Sequence, residues 1–346
     1  MKIAAYGCGQ NYTSARFRVR QFIGDLATYD IHVHEYIAPI YKHLEPKSHN
    51  PVWLAAIKVA RPIALMPSVI ASHRYDASWI QKEMIWGRDT LERFTQGPRF
   101  FDVDDALWVP REGSAYHMAR LARHMDVIIA GNEAIANWFS QFANDVRIVP
   151  TAIDCSLFCP PAVPAPADRP FTIVWTGQKV TLYHLVVVEE ALRIFMERHP
   201  DVQFHAVSDA GPVLKSLPAE RVTWVPWSPA VEVTAIQNAH IGIMPLVDDE
   251  NGRAKCAFKM LQYMGCAVPS VVTPIGFNKD ILKTGGVGLA ATTTDEWVDA
   301  FESLYADREA AADLGRRGRQ VALDHFDRPI MAKQLAELFI DVVGVP

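Results

Sequence analysis

The chain has 346 residues, half of them hydrophobic and 21% charged, with a formal net charge of −5. That length predicts two domains with ample core, the composition is that of a soluble globular protein, and the acidic balance argues against general nucleic-acid affinity. Five scattered cysteines (Cys8, Cys155, Cys159, Cys256 and Cys266) fit a reducing compartment. Cys155 and Cys159 have no second pair or nearby His to complete a zinc set, so no metal is expected. The amino-terminal residues read as a first β-strand with no apolar signal-peptide core, which makes the expected location cytoplasmic.

Strand and helix alternate along the chain, the pattern of parallel sheets covered on both faces. Strands are expected at 3–6, 31–36, 79–81, 99–101, 127–130 and 146–149, with a helix at 18–28. A proline-rich connector at 161–170 cannot lie in a helix or a central strand, and it marks a hinge between domains at 1–160 and 171–325. Beyond it the alternation restarts. Strands are expected at 172–175, 203–207, 222–225, 241–244 and 270–272, with helices at 183–197 and 230–238. Helical stretches at 295–304, 308–324 and 330–343 finish the chain, and the tail 326–346 is expected to pack back on the N-terminal domain.

The stretch 251–276 carries the most information. It reads as loop, amphipathic helix, short apolar strand and Gly turn, with Arg253, Lys255 and Lys259 crowded at the helix start. Unpaired backbone N–H groups and the positive end of the dipole already favour an anion there, and three cations would add to that preference. Without a ligand such cations oppose the dipole, so a diphosphate is the expected guest.

The same residues resemble the donor-binding signature of the GT-B glycosyltransferases, in particular the retaining group called family 4. Gln262-Tyr-Met-Gly-Cys-Ala-Val-Pro-Ser-Val-Val272 matches the second half of that signature. Gln262 stands at its second Glu and Ala254 at its first. The run Lys255-x-x-Phe-Lys-x-Leu-Gln-Tyr-Met264 resembles one branch of the group. Three more segments resemble family motifs in the same order. They are Pro150-Thr-Ala-Ile-Asp to Pro160, the strand and loop ending Gly177-Gln178-Lys179, and Pro274-Ile-Gly276-Phe277-Asn278.

The resemblance implies two Rossmann-like domains facing across a cleft, with a helical C-terminal tail, and no cofactor, the nucleotide-sugar being a substrate. Glycine at 177 would let the backbone approach phosphate, and Lys179 would supply charge. Gln262 would hold the ribose through its amide. Gly276, Phe277 and Asn278 would lie near sugar and phosphates.

In the first domain, Gly7-x-Gly9 lacks the third glycine of a dinucleotide fingerprint. It resembles the GT-B amino-domain loop, and Ser14-x-Arg16-x-Arg18 would grip a phosphate of the donor or of a lipid-phosphate acceptor. Asp102-x-Asp104-Asp105 after an apolar strand admits a metal-holding reading and a GT-B reading, in which Asp104 or Asp105 faces the cleft and touches donor sugar or acceptor. His32-x-His34 has no third ligand in view. Residues 1–72 hold eight Lys or Arg against four Asp or Glu, and the apolar stretch 51–73 is too broken to span a bilayer. A basic, apolar surface of that kind suits peripheral contact with an anionic inner leaflet.

The expected activity is metal-independent transfer of a sugar from a UDP- or GDP-sugar to a hydroxyl on a glycan, lipid-linked or small-molecule acceptor, with Asp104, Asp105 and Lys255 as catalytic candidates. Retention of configuration and a place in surface polysaccharide or glycolipid assembly follow from the resemblance alone. Alternatives are a nucleotide-sugar epimerase, or a non-catalytic nucleotide-sugar or glycan-binding relative, suggested by the two missing Glu residues.

Overall fold

The computed structural model describes residues 1–7, 9, 13–38, 51–85, 88–163 and 169–345. These form two compact units. The first comprises Met1–Ala152, Ala254–Cys256 and Arg328–Pro346; the second comprises Ile153–Arg253 and Ala257–Asp327. The chain leaves the first unit between Ala152 and Ile153, ahead of the proline-rich connector, of which residues 164–168 lie outside the described residues.

The first unit is built on six parallel strands: β1 (Lys2–Gly7), β2 (His32–Ile37), β3 (Ala77–Gln81), β4 (Arg99–Val103), β5 (Val127–Ala130) and β6 (Val146–Ile148). They lie in the order β2-β1-β3-β4-β5-β6. Every residue of β3 and β5 is buried. Alternate residues of each strand enter different cores. Ala4, Ile80, Phe101 and Ile128 pack in one, Ile3, Trp79, Phe100 and Ile129 in the other. Burial on both faces explains why these strands read as continuous apolar runs. The second of these cores is covered by the helix Arg328–Val343, whose Met331, Leu335 and Phe339 recur at helical spacing. The Phe339 ring meets Trp79 and Phe100 edge-on, at centroid distances of 5.3 and 4.8 Å.

The second unit has its own six parallel strands: β7 (Phe171–Thr176), β8 (Val202–Ser208), β9 (Val222–Pro226), β10 (Ile241–Met244), β11 (Ser270–Val272) and β12 (Leu289–Ala290). Their order, β12-β11-β10-β7-β8-β9, reverses direction between β7 and β10. Open α/β sheets bind ligands at such a point, beyond the carboxyl ends of the strands. The helix Phe258–Gly265 connects β10 to β11 and lies over this point. Tyr263 of that helix sits so close to β10 that a Cβ on Gly242 would come within 2.3 Å of its ring, and its hydroxyl donates to the Ile243 carbonyl at 3.0 Å.

Several local expectations need correction. The helix at 18–28 is two short helices, Thr13–Arg18 and Ile23–Ala27, separated by a 3-10 turn. The helix at 183–197 begins as a 3-10 stretch, Lys179–Val187, and becomes α-helical only at Glu189–Arg198. Three consecutive valines, Val186 to Val188, resist the α-helix there. The apolar stretch at 51–73 is one helix, Pro51–Ala71, with Pro62 and Pro67 inside it. Helices Ser114–Ala122 and Glu133–Phe139 had no counterpart in the sequence reading.

Candidate functional site

In the second unit, β7 ends at Thr176 and the loop Gly177-Gln178-Lys179 follows. Glycine is required at 177 by the loop itself, since a Cβ would lie 2.3 Å from the Trp175 ring. Gln178 forms a capping box with Thr181, and the backbone N–H of Lys179 donates to Asp209, so the loop is held by its own contacts. The Lys179 side chain is exposed.

Two residues of the helix Phe258–Gly265, three apart and on one face, reach the end of β7. Lys259 places its ammonium 5.5 Å from the Trp175 ring centroid, a cation–π contact. The Gln262 carbonyl oxygen accepts from the Thr176 hydroxyl at 3.3 Å, and its buried amide nitrogen has no hydrogen-bond partner among the described residues. The structure therefore brings the Gly177 loop, Lys259 and Gln262 together.

Gly276 joins Arg253. Its φ of 51° is left-handed, and a Cβ there would come 2.3 Å from the Arg253 carbonyl oxygen. The Arg253 guanidinium is 62% exposed and pairs with Asp248 at 2.6 Å. Asn278 is buried; its amide donates to the Thr273 carbonyl at 3.1 Å, and its Oδ1 has no partner among the described residues. Phe277 packs edge-on against Phe326.

Of the three cations expected at one helix start, only Lys259 lies within the helix. Ala257, with φ of 53°, breaks the run from Arg253, and the helix begins only at Phe258. Residues Ala254–Cys256 belong to the first unit, where the Asn132 amide donates to the Ala254 and Lys255 carbonyls at 2.9 and 3.2 Å.

Lys255 is thus part of a charge cluster in the first unit, at the carboxyl ends of β3, β4 and β5. Its ammonium lies 2.9 Å from Asp105. Lys82, which follows β3 with φ of 58°, is 2.9 Å from Asp104 and 3.9 Å from Asp105. Burial raises the Asp105 carboxyl, but Lys255 and then Lys82 outweigh it and pull the group down to about 2. Cys256 closes the cluster. Its thiol faces the Asp104 carbonyl and lies where a Cβ on Gly131 would fall, and burial, reinforced by Asp104, pushes it up to about 12.

Arg18 is not a phosphate grip. It is 1% exposed and donates to Asp102 at 2.7 and 3.2 Å and to the Val149 carbonyl at 2.8 Å. Burial works against its charge, and the Asp102 carboxylate more than offsets this and holds the guanidinium above its ordinary value. Asp102 and Asp104 therefore have separate cations, Arg18 and Lys82, and do not converge as a metal-holding pair. Among the described residues no three His, Cys, Asp or Glu side chains group closely enough to hold a metal. Arg16 lies over the Phe17 ring, and one of its amines is buried with no partner among the described residues. Ser14 is half-exposed. The Gly9 carbonyl accepts from Arg20 at 2.7 Å.

Two Rossmann-like parallel sheets, each with the strand-order reversal that positions ligands, and a helical carboxyl-terminal region make this a GT-B fold. Residues 170–307, all but Ala254–Cys256 within the second unit, match the family model for Glycosyl transferases group 1. Sucrose-phosphate synthase (tll1590) from Thermosynechococcus elongatus superposes with a TM-score of 0.73 at 15% identity, over 98% of each chain. Anabaena Alr3699/HepE in complex with UDP and glucose gives 0.72 at 13% identity, over 99% of this chain and 100% of that one. In sequence, the D-inositol 3-phosphate glycosyltransferase of Arthrobacter sp. (strain FB24) is 25% identical over 205 residues, 53% of this chain and 47% of that protein. The chain thus aligns with about half the length of that relative.

Sequence reasoning missed Lys82. Nothing marks a lysine after a short apolar strand, and its part in the cluster comes from the pairing of β3 with β4.

Proposed function

We propose that this protein is a glycosyltransferase that moves a sugar from a nucleoside-diphosphate donor, UDP- or GDP-linked, to a hydroxyl acceptor. The observation that carries this reading is the position of Lys259 and Gln262 beside the Gly177 loop, at the strand-order reversal of a domain matching Glycosyl transferases group 1. Lys259 and the exposed Arg253 would stabilise charge developing on the departing diphosphate, the kind of preorganised electrostatic help that often dominates catalysis. Arg253 can serve because its pair with Asp248 is exposed and therefore weak. Gln262 would meet the donor with its buried amide.

The first unit would supply the acceptor side. Asp104 and Asp105, held by Lys82 and Lys255, would orient the acceptor hydroxyl. Asp105, with its carboxyl near 2, is ionised at neutral pH and suited to accepting a hydrogen bond. We assign the reaction no metal, retention of anomeric configuration, and a role in surface polysaccharide or glycolipid assembly. Contact with the inner face of a membrane completes the proposal, and the anomer formed, read by NMR, tests retention.

The test is a thermal-shift panel of UDP, GDP, ADP, CMP and NAD, with and without magnesium. A ligand at about 100 times its Kd adds roughly 2.7 kcal/mol to stability. Stabilisation by one nucleoside diphosphate regardless of magnesium is the expected result. No shift with any nucleotide overturns the reading. Binding of a donor that is never turned over with any acceptor would mark a non-catalytic relative, in keeping with Ala254 and Gln262 at the two Glu positions.

A further inference from the structure

The second unit has a pocket of about 490 Å³ at the opposite end of its sheet from the Gly177 loop, where β7 and β8 begin. Arg169, Asp201, Gln203, Arg221 and Arg308 line it. The volume lies in the range of small-molecule sites, on the order of 300–1,000 Å³. Three arginines face a single carboxylate, and Asp201 is itself engaged, accepting from the Tyr305 hydroxyl at 2.9 Å. Among the described residues none of the three guanidiniums has a carboxylate partner at ion-pair distance.

Each guanidinium is nevertheless held in place. Arg308 lies over the Phe171 ring, 3.9 Å from its centroid, and 4.8 Å from that of Tyr305. Arg221 spends one amine on the Met196 and His199 carbonyls, at 2.7 and 3.1 Å, and Arg169 donates to the Asn238 carbonyl. These contacts fix the cations without neutralising them. His240, stacked on Phe171 at 4.8 Å, is lowered to about 4 by burial and by the nearby charges of Arg169 and Arg308. It accepts from the Thr172 backbone N–H at 2.9 Å as a neutral ring. Burial lowers Arg308, against the opposing pull of Tyr305 and Asp201, and the positive neighbour Arg169 adds a smaller push downward. Fixed, like-charged guanidiniums around an open volume suit a multivalent oxyanion, which Arg binds through paired N–H donors.

We propose that this pocket binds the phosphate group of a small phosphorylated molecule, at a site separate from the nucleotide site and independent of the donor reading. Isothermal titration calorimetry on the full chain at fixed ionic strength, with glucose 6-phosphate, inorganic phosphate and glucose, is the test. Saturable binding of glucose 6-phosphate and none of glucose is expected. Tighter binding than inorganic phosphate would identify a phosphate ester as the guest, and binding no tighter would overturn the ester in favour of the free ion. Arg221→Gln and Arg308→Gln should each weaken it about tenfold, whereas Arg316→Gln, at an exposed arginine paired with Asp313, should change nothing. Absence of saturable heat, unchanged affinity in both pocket variants, or competition by UDP would overturn the proposal. Phenylglyoxal labelling of the unmutated protein gives a second readout. Phosphate should protect Arg221 and Arg308, and equal labelling with and without it would also overturn the site.

Discussion

Arg18 and Asp102 form an ion pair with almost no solvent access, their side chains 2% and 0% exposed. Removing one member of such a pair leaves a bare buried charge, at a cost of about 3–5 kcal/mol. Arg18→Ala should therefore lower the urea midpoint markedly, and pairing it with Asp102→Leu should recover much of the loss. A variant of unchanged stability would return Arg18 to a ligand-binding role. Asp105 makes a separate prediction. Its folded value near 2 lies below the unfolded value of about 3.9, so its contribution is complete above the unfolded value and lost as pH falls towards 2. The difference in Tm between the protein and Asp105→Asn should be constant at neutral pH and shrink progressively from about pH 5 to about pH 1. A difference that persists at the acid end would show that the shift is not coupled to folding. The sequence singled out Asp104 and Asp105 through a resemblance and Lys255 as a cation near a helix start, readings that mark position but not partners. That Lys255 serves the first unit's cluster depends on the turn at Ala257, and nothing in an alanine announces a left-handed conformation.

Among elements, short apolar runs were the most legible. The strands at 127–130, 241–244 and 270–272 have the bounds expected of them, because strands buried on both faces read as nearly continuous apolar runs. Helix starts were less legible. Ser14, Arg16 and Arg18 were expected to grip a phosphate at a helix start, yet Arg18 is buried within the helix Thr13–Arg18. The helix Pro51–Ala71 carries a prediction of its own. Val59, Ile63, Met66 and Ile70 are all exposed, at 62%, 64%, 42% and 64%. Their spacing of four, three and four places them along one stripe. Among the described residues no helix is long and apolar enough to cross a membrane, but such a stripe can lie on one. Ile63→Asp with Ile70→Asp should abolish flotation with anionic vesicles, if the proposed membrane contact runs through this face. Unchanged flotation, or none by the unmutated protein, would remove the helix from the reading.

At the scale of the molecule, the alternation of strand and helix gave the two sheets, while their strand orders could not be read, because order depends on which crossover goes to which side. The tail was legible as helix, and its place follows from Phe339, fully buried against Trp79 and Phe100. Phe339→Ala should cost about 3–5 kcal/mol and change the emission of Trp79. A loss below about 1 kcal/mol would show that the helix contributes little to the first unit's stability. That placement also has a consequence on the ribosome. Synthesis runs from the amino end at about 5–20 residues per second, so all six strands of the first sheet emerge long before the helix Arg328–Val343 that covers one of its cores. The second unit, ending at Asp327, is fully synthesised in the interval. A nascent chain stalled there holds a finished later half and an earlier half with Trp79 and Phe100 still uncovered, the stage at which a chaperone would find most to hold.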